Sequence, residues 1–413
     1  MSATTDLAHN GFHARNIQAA PEDPLYRLMR EYRQDTSVNK IDLGVGAYRD
    51  DDGKPWVLPT VIKAKAMLAE DPEVNHEYLP IQGLQSFTEG AARLILGADG
   101  PAIKEDRIAS IQTVSGTGAV HLGATLLYRF FSTTGTPTVY ISDPTWPNHK
   151  QIFGQLGFKV EQYPYFSRGK QGIDVPAMLA CLRAADRGSV VVLQACAHNP
   201  TGLDPTADEW DQIAQVMRER GHFPFFNCAY QGFATGFECC VAQSFAKNLG
   251  LYGERVGAFH FVCAPGVDAV EASHAVASQM ALISRAEISN PPAFGSRIAD
   301  RIINDPELFA QWQQDLETMS SRLIRNRQAI LKGLEARGTR GKWGALSGQI
   351  GMFSFMPLSK SQIERLRVDY HIYMTENARI SVAGLNNRNL EYFIEAIDKV
   401  VRGDYGGGSR EGE

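Results

Sequence analysis

Nowhere in the 413 residues do about 18 apolar residues run together, so no membrane-crossing helix is expected. Charge of one sign is not in excess. Lys and Arg number 41 against 46 Asp and Glu, a net charge of −5. That balance, without clustered Lys and Arg, argues against a nucleic-acid partner. Cysteine is scarce: Cys181, Cys196, Cys228, Cys239, Cys240 and Cys263 form no CxxC pair. A chain this long needs no staples, so these read as reduced thiols. HExxH, zinc-spaced Cys/His sets and a GxSxG elbow are absent, and no metal is expected. The opening residues, MSATTDLAHNGFHARNIQAA, contain no apolar leader and one basic residue, Arg15, which points to the cytoplasm. Residues 406–413, GGGSREGE, read as a solvated tail.

What is present is ordinary globular material: 44% hydrophobic residues, 21% charged, mean hydropathy −0.23. Short apolar runs alternate with helical patterns. Strands are expected at 108–114, 138–142, 189–194, 223–226, 239–243 and 258–263, and helices at 119–131, 146–156 and 207–219. Such alternation predicts an α/β fold with a mostly parallel sheet flanked by helices, its ligands at the carboxyl edge. From Pro306 a long amphipathic helix is expected to 334, carrying Leu308, Trp312, Leu316, Met319 and Leu323 at helical spacing. Strand-like segments at 351–355 and 379–383 and a helix at 389–401 predict a smaller α/β domain. The resulting division is 1–56 packing on the small domain, 57–318 as the large domain, 319–405 as the small one and 406–413 as the tail.

Two local patterns carry chemistry. Lys247 follows the apolar run 239–242, and a desolvated amine is a nucleophile towards an aldehyde, although a lone Lys is ordinarily a solvated surface group. Arg255 follows and could hold an anion beside it. Ser115-Gly116-Thr117-Gly118 lies between a strand and a helix, where backbone N–H groups and hydroxyls cradle phosphates, or where a plain turn sits. Gly44-Val45-Gly46 lacks the third glycine of a dinucleotide site.

Seven stretches together resemble the aspartate aminotransferase family, pyridoxal-phosphate (PLP) enzymes of fold type I. They are 43–49 (LGVGAYR), 77–81 (EYLPI), 115–119 (SGTGA), 143–149 (DPTWPNH), 195–202 (ACAHNPTG), 243–257 (QSFAKNLGLYGERVG) and 379–385 (RISVAGL). The resemblance implies a large PLP-binding domain with a seven-stranded sheet. It implies that Lys247 is joined to PLP and moves a proton at the substrate α-carbon. Ser115, Gly116, Thr117, Ser244 and Arg255 would hold the phosphate, with Tyr78 reaching it from the neighbouring subunit of a homodimer. Trp146 would stack on the ring, and Asn199 and Tyr230 would bond its phenolic oxygen. Arg379 would clamp the substrate α-carboxylate with the Gly46 backbone nearby. Arg285 would read a side-chain carboxylate across the interface, which suits aspartate, glutamate and their oxo acids.

The chain also departs from the family pattern. Where the family carries the Asp that charges the ring nitrogen, this sequence has Asn227, while His149 behind it is kept. Losing such a contact costs ~3 kcal/mol, roughly a hundredfold in rate, so transamination is expected to be slowed. A PLP protein of altered chemistry and a non-catalytic dimeric scaffold are the alternatives. A segment that includes a helix in the family is missing between Gly236 and Phe237, leaving a short crossover and a poorly covered sheet face. A trimmed surface, a splice variant and a gene-model error all fit that gap. Pro147 and Ala378 are smaller departures beside Trp146 and Arg379.

Overall fold

The structure, a computed structural model, describes residues 17–131, 135–231 and 240–405. Its centre is a seven-stranded sheet in the order Ile108–Val114, Val256–Val262, Cys240–Ser244, Phe223–Cys228, Val190–Gln194, Thr138–Asp143, Lys159–Pro164. Val256–Val262 runs antiparallel to both neighbours, and the remaining pairs are parallel. The interior strands are largely apolar because both faces are covered. Val190, Val192, Phe225, Ala242 and Phe259 face one core, and Val191, Leu193, Phe226, Val241 and Ala258 the other.

This arrangement gathers the chemistry on one edge. The strands ending at Val114, Asp143, Gln194, Cys228 and Ser244 deliver their next residues there. The antiparallel strand starts at that edge, with Val256 opposite Val114 and Gly257 opposite Ser244, so Arg255 just before it joins them.

Local signals set the helix ends. Thr206 with Glu209 and Ser359 with Gln362 form capping boxes on Ala207–Arg220 and Lys360–Tyr370. Asp305 caps the 31-residue helix Pro306–Ala336, with its carboxylate accepting from Glu307 and Leu308 N–H groups. Several bounds differ from the sequence reading. The helix after Val114 begins at Ser115, not 119, so the phosphate-cradle residues form its first turn. The next helix is Pro147–Gln155, which leaves Trp146 as its cap. The expected strand 351–355 is shortened to Phe353–Phe355, and 379–383 to Arg379–Ser381 followed by a 3-10 turn at Val382–Gly384. Lys159–Pro164 was not expected; it is an edge strand and mostly polar.

Beyond the large sheet, Ile41–Asp42 pairs in parallel with Ile372–Tyr373, and Phe353–Phe355 pairs antiparallel with Arg379–Ser381. Asp35, at the end of helix Pro24–Gln34, accepts from Ser37 N–H, Tyr373 hydroxyl and the His371 ring. The amino-terminal segment is thereby bonded to the carboxyl-terminal third of the chain. The readings on residues 1–16, on Cys239, on the gap between Gly236 and Phe237 and on the tail lie outside the described residues. Phe226 and Val241 are buried, and Trp210 packs on Phe226 at 5.9 Å between ring centroids. Among the described residues no helix is long and apolar enough to cross a membrane.

Candidate active site

A cleft opens on the carboxyl edge of the sheet. Ten residues singled out from the sequence line it: Ser115, Gly116, Thr117, Trp146, Asn199, Asn227, Tyr230, Ser244, Lys247 and Arg255. Gln194 and Ala229 complete the lining.

At one end lies a cradle for an anion. Ser115 Oγ is 3.4 Å from Ser244 Oγ, and the Ser115 N–H donates to the Arg255 carbonyl at 2.9 Å. Ser115 and Arg255 hold φ of 60° and 56°, a costly conformation for side-chain-bearing residues that concentrates at functional sites. Gly116 is needed for closeness, since a Cβ there would stand 2.9 Å from Ser244 Cβ. The Arg255 guanidinium donates to the Tyr252 carbonyl at 3.1 Å, and no carboxylate pairs with it among the described residues.

Lys247 follows the Cys240–Ser244 strand. Its Nζ lies over the Tyr230 ring, 5.1 Å from the centroid. Burial, with Arg255 nearby, lowers its pKa to about 8. The neutral, nucleophilic form is therefore far more populated near physiological pH than in an ordinary lysine, although the cation still predominates below pH 8. Burial pushes the Tyr230 phenol up, so it stays protonated and able to donate.

Next to the cleft, Arg379 is buried. Its Nη1 donates to Asn199 Oδ1 at 3.2 Å and its Nη2 to the Gly44 carbonyl at 2.7 Å. The carbonyl it meets is that of Gly44, two residues before Gly46. Gly46 lies under Phe353, whose ring centroid is 4.2 Å from the Arg379 guanidinium carbon. Arg379 Nε is buried without a partner, a donor left over for a ligand. Asn199 is fixed by Gln194, which accepts from its N–H at 2.8 Å and donates to its carbonyl at 3.0 Å.

On the other side, Asn227 Nδ2 lies 2.8 Å from His149 Nε2, and His149 Nδ1 lies 2.9 Å from Thr145 Oγ1. Trp146 packs edge-on against His149 at 5.2 Å. Burial lowers the His149 pKa to about 3, so the ring is neutral.

Tyr78 and Arg285 do not reach this cleft. Tyr78 is 86% exposed. Arg285, also exposed, donates to Ser289 Oγ at 2.5 Å. Sequence reasoning missed Gln194 and Phe353. Gln194 could have been found as the one polar residue closing an apolar strand run; nothing local marks Phe353.

With this geometry in view, the chain belongs to the family Aminotransferase class I and II, which it matches over residues 38–397. Enzymes of this class depend on PLP. More narrowly, the chain is 44% identical over 403 residues to the cytoplasmic aspartate aminotransferase of Schizosaccharomyces pombe, an alignment covering 94% of this chain and 98% of that one. The solved aspartate aminotransferase from Saccharomyces cerevisiae cytoplasm superposes with a TM-score of 0.91 at 43% identity, covering 94% and 98%. An aromatic-amino-acid aminotransferase from Burkholderia pseudomallei, covalently bound to pyridoxal phosphate, gives 0.89 at 35% identity, covering 94% and 99%.

Proposed function

We propose that this chain catalyses PLP-dependent transamination between L-aspartate or L-glutamate and 2-oxoglutarate or oxaloacetate, as a cytoplasmic homodimer. One observation carries the reading: Lys247 shares a single cleft with the Ser115–Thr117 turn and Arg255, and Arg379 is one hydrogen bond away through Asn199.

The residues present fit PLP. Two serine hydroxyls, the N–H groups of a helix first turn and an Arg without a carboxylate partner suit a phosphate, and Gly116 leaves room at the Ser244 contact. When bound, PLP supplies an aldehyde that takes up an amino group and a ring that draws electrons from the adjoining carbon. Lys247 would hold the aldehyde carbon and carry a proton on Nζ to and from the substrate α-carbon. Trp146 would cover one ring face and exclude water. Tyr230 and Asn199 would bond the phenolic oxygen, and Asn227 would meet the ring nitrogen. Arg379 would take the α-carboxylate in its fork, near the Gly46 backbone.

Tyr78 and Arg285, exposed and outside their own cleft, suit a neighbour's site: Tyr78 at the phosphate and Arg285 at the substrate's side-chain carboxylate. The bonding of Asp35 and Ile41–Asp42 to Ile372–Tyr373 supports a division in which 1–56 packs with a small domain at 319–405, against a large domain at 57–318. The relative from S. pombe is cytoplasmic by name, which supports that compartment.

Borohydride reduction followed by peptide mapping tests the reading. A reduced adduct on Lys247 is expected, and its absence rejects PLP chemistry here. Asn227 favours a second reading, a PLP protein of altered chemistry or a non-catalytic scaffold. The purified protein is expected to be yellow and to lose that colour with aspartate; colour that persists selects the second reading. Asn227→Asp is expected to raise the aspartate rate about a hundredfold.

A further inference from the structure

The cleft holds cations and no anion. Lys247 and Arg255 line it, and none of the described lining residues is a carboxylate. The half-buried carboxylate of Asp204 is engaged elsewhere, accepting from the Ala197 and His198 N–H groups at 2.6 and 3.0 Å. The anion cradle lies over the strands ending at Val114 and Ser244. Asn227 is on the next strand across, about 4.8 Å further along the edge. A ring held by a phosphate arm in that cradle, with its aldehyde at Lys247, would present its para nitrogen on the side away from the lysine, where Asn227 stands.

Asn227, His149 and Thr145 form a chain with two neutral arrangements. In one, the amide N–H donates to His149 Nε2, and His149 Nδ1–H donates to Thr145. In the other, the amide is reversed: His149 Nε2–H donates to Oδ1, Thr145 donates to Nδ1, and the amide N–H is free to face the cleft. Neither offers a negative charge.

Resting on the PLP reading above, we propose that Asn227 holds the pyridine nitrogen of the bound cofactor uncharged, donating its amide N–H to it while His149 carries its hydrogen on Nε2. An N–H donor stabilises the unprotonated nitrogen, whose lone pair is the acceptor. A proton there would place a positive charge at a point where the protein lining offers no carboxylate to receive it. His149 does not change this, because burial keeps it neutral. His149 is a positioning residue: its tautomer selects which edge of the amide meets the cofactor. The uncharged ring draws electrons more weakly. Chemistry that builds full charge on the α-carbon is then disfavoured relative to proton transfer concerted with Lys247.

The test uses the full chain loaded with ring-¹⁵N-labelled PLP. The ring resonance is expected at the unprotonated pyridine position from pH 6 to 9, and His149 is expected to show the Nε2–H tautomer. In Asn227→Asp the ring resonance moves to the protonated position. A protonated resonance in the unaltered protein overturns the proposal while leaving PLP binding intact. Failure of the label to bind at all overturns both this proposal and the PLP reading. The unaltered protein alone decides, so poor folding of the variant does not rescue the proposal.

Discussion

Asn290 is hydrogen-bonded to the backbone of Leu79, its Nδ2 donating to the carbonyl at 2.8 Å, while its Oδ1 accepts from Arg285 Nη1 at 3.4 Å. Tyr78 and Arg285 are held on one surface patch by that amide. If this patch serves a neighbouring subunit, Arg285→Ala should lower kcat/KM for aspartate about a hundredfold, the equivalent of losing ~3 kcal/mol of charge-assisted contact. Alanine, which has no second carboxylate, should be used as before. Steady-state kinetics on both amino acids check this, and equal losses would remove Arg285 from specificity.

Lys247 should impose a pH dependence on cofactor capture. Its amine titrates near pH 8 instead of the ordinary 10.5. The rate at which apo protein takes up PLP should therefore rise as pH increases through about 8 and then level off. Arg255→Leu removes a positive neighbour, so it should move the midpoint upward and weaken phosphate binding. Stability has the matching sign. Below pH 8 the folded protein carries a buried cation, and that cost is relieved between pH 8 and 10.5. Lys247→Met should raise the apo Tm at pH 7, with the gain shrinking towards pH 10.

Gly116→Ala reverses the usual helix preference. Alanine stabilises most helical positions over glycine, but here its methyl would press on Ser244 Cβ at 2.9 Å. Overpacking of this kind costs ~1–3 kcal/mol. Thermal unfolding of apo protein should show the loss, and PLP titration should show weaker binding, because the serine pair of the cradle is pushed apart.

Asp35 should matter most at neutral pH. Bonds from the Ser37 backbone, then from Tyr373 and His371, hold its carboxyl at about 2. Its contribution is complete above the ordinary carboxylate range and is lost as pH falls through 2. Asp35→Asn should lower Tm at pH 7, and the gap should close in melts taken between pH 4 and 2.

Much of this was legible because strands buried on both faces read as apolar runs. Residues 108–114 were bounded correctly, as was the start of the long helix at Pro306, where Asp305 and Pro306 give a cap and a first-turn residue. Lys159–Pro164 escaped because an edge strand exposes half its residues, and its polar sequence carries no run. Ala269–Glu287 escaped because it buries few large side chains, chiefly Met280 and Ile283. In the cleft, residues on motifs were found and those placed by folding alone were not. Phe353 comes under Arg379 only through strand pairing 26 residues away in sequence. The Arg379 contact to Gly44 is likewise set by folding: helix Pro24–Gln34 packs close on that glycine, where a Cβ would stand 2.6 Å from Leu28 Cδ2.

The 31-residue helix gives the cleft a ruler. Trp312 Nε1 donates to the carbonyl of Asn248, the residue after Lys247, at 2.7 Å. Arg327, about 22 Å further along the same rod, grips the carbonyls of Gly351 and Phe353, the ring beneath Arg379. The distance between the amine and the carboxylate fork is thus spanned by one continuous backbone, and a small tilt of that rod would slide one grip relative to the other.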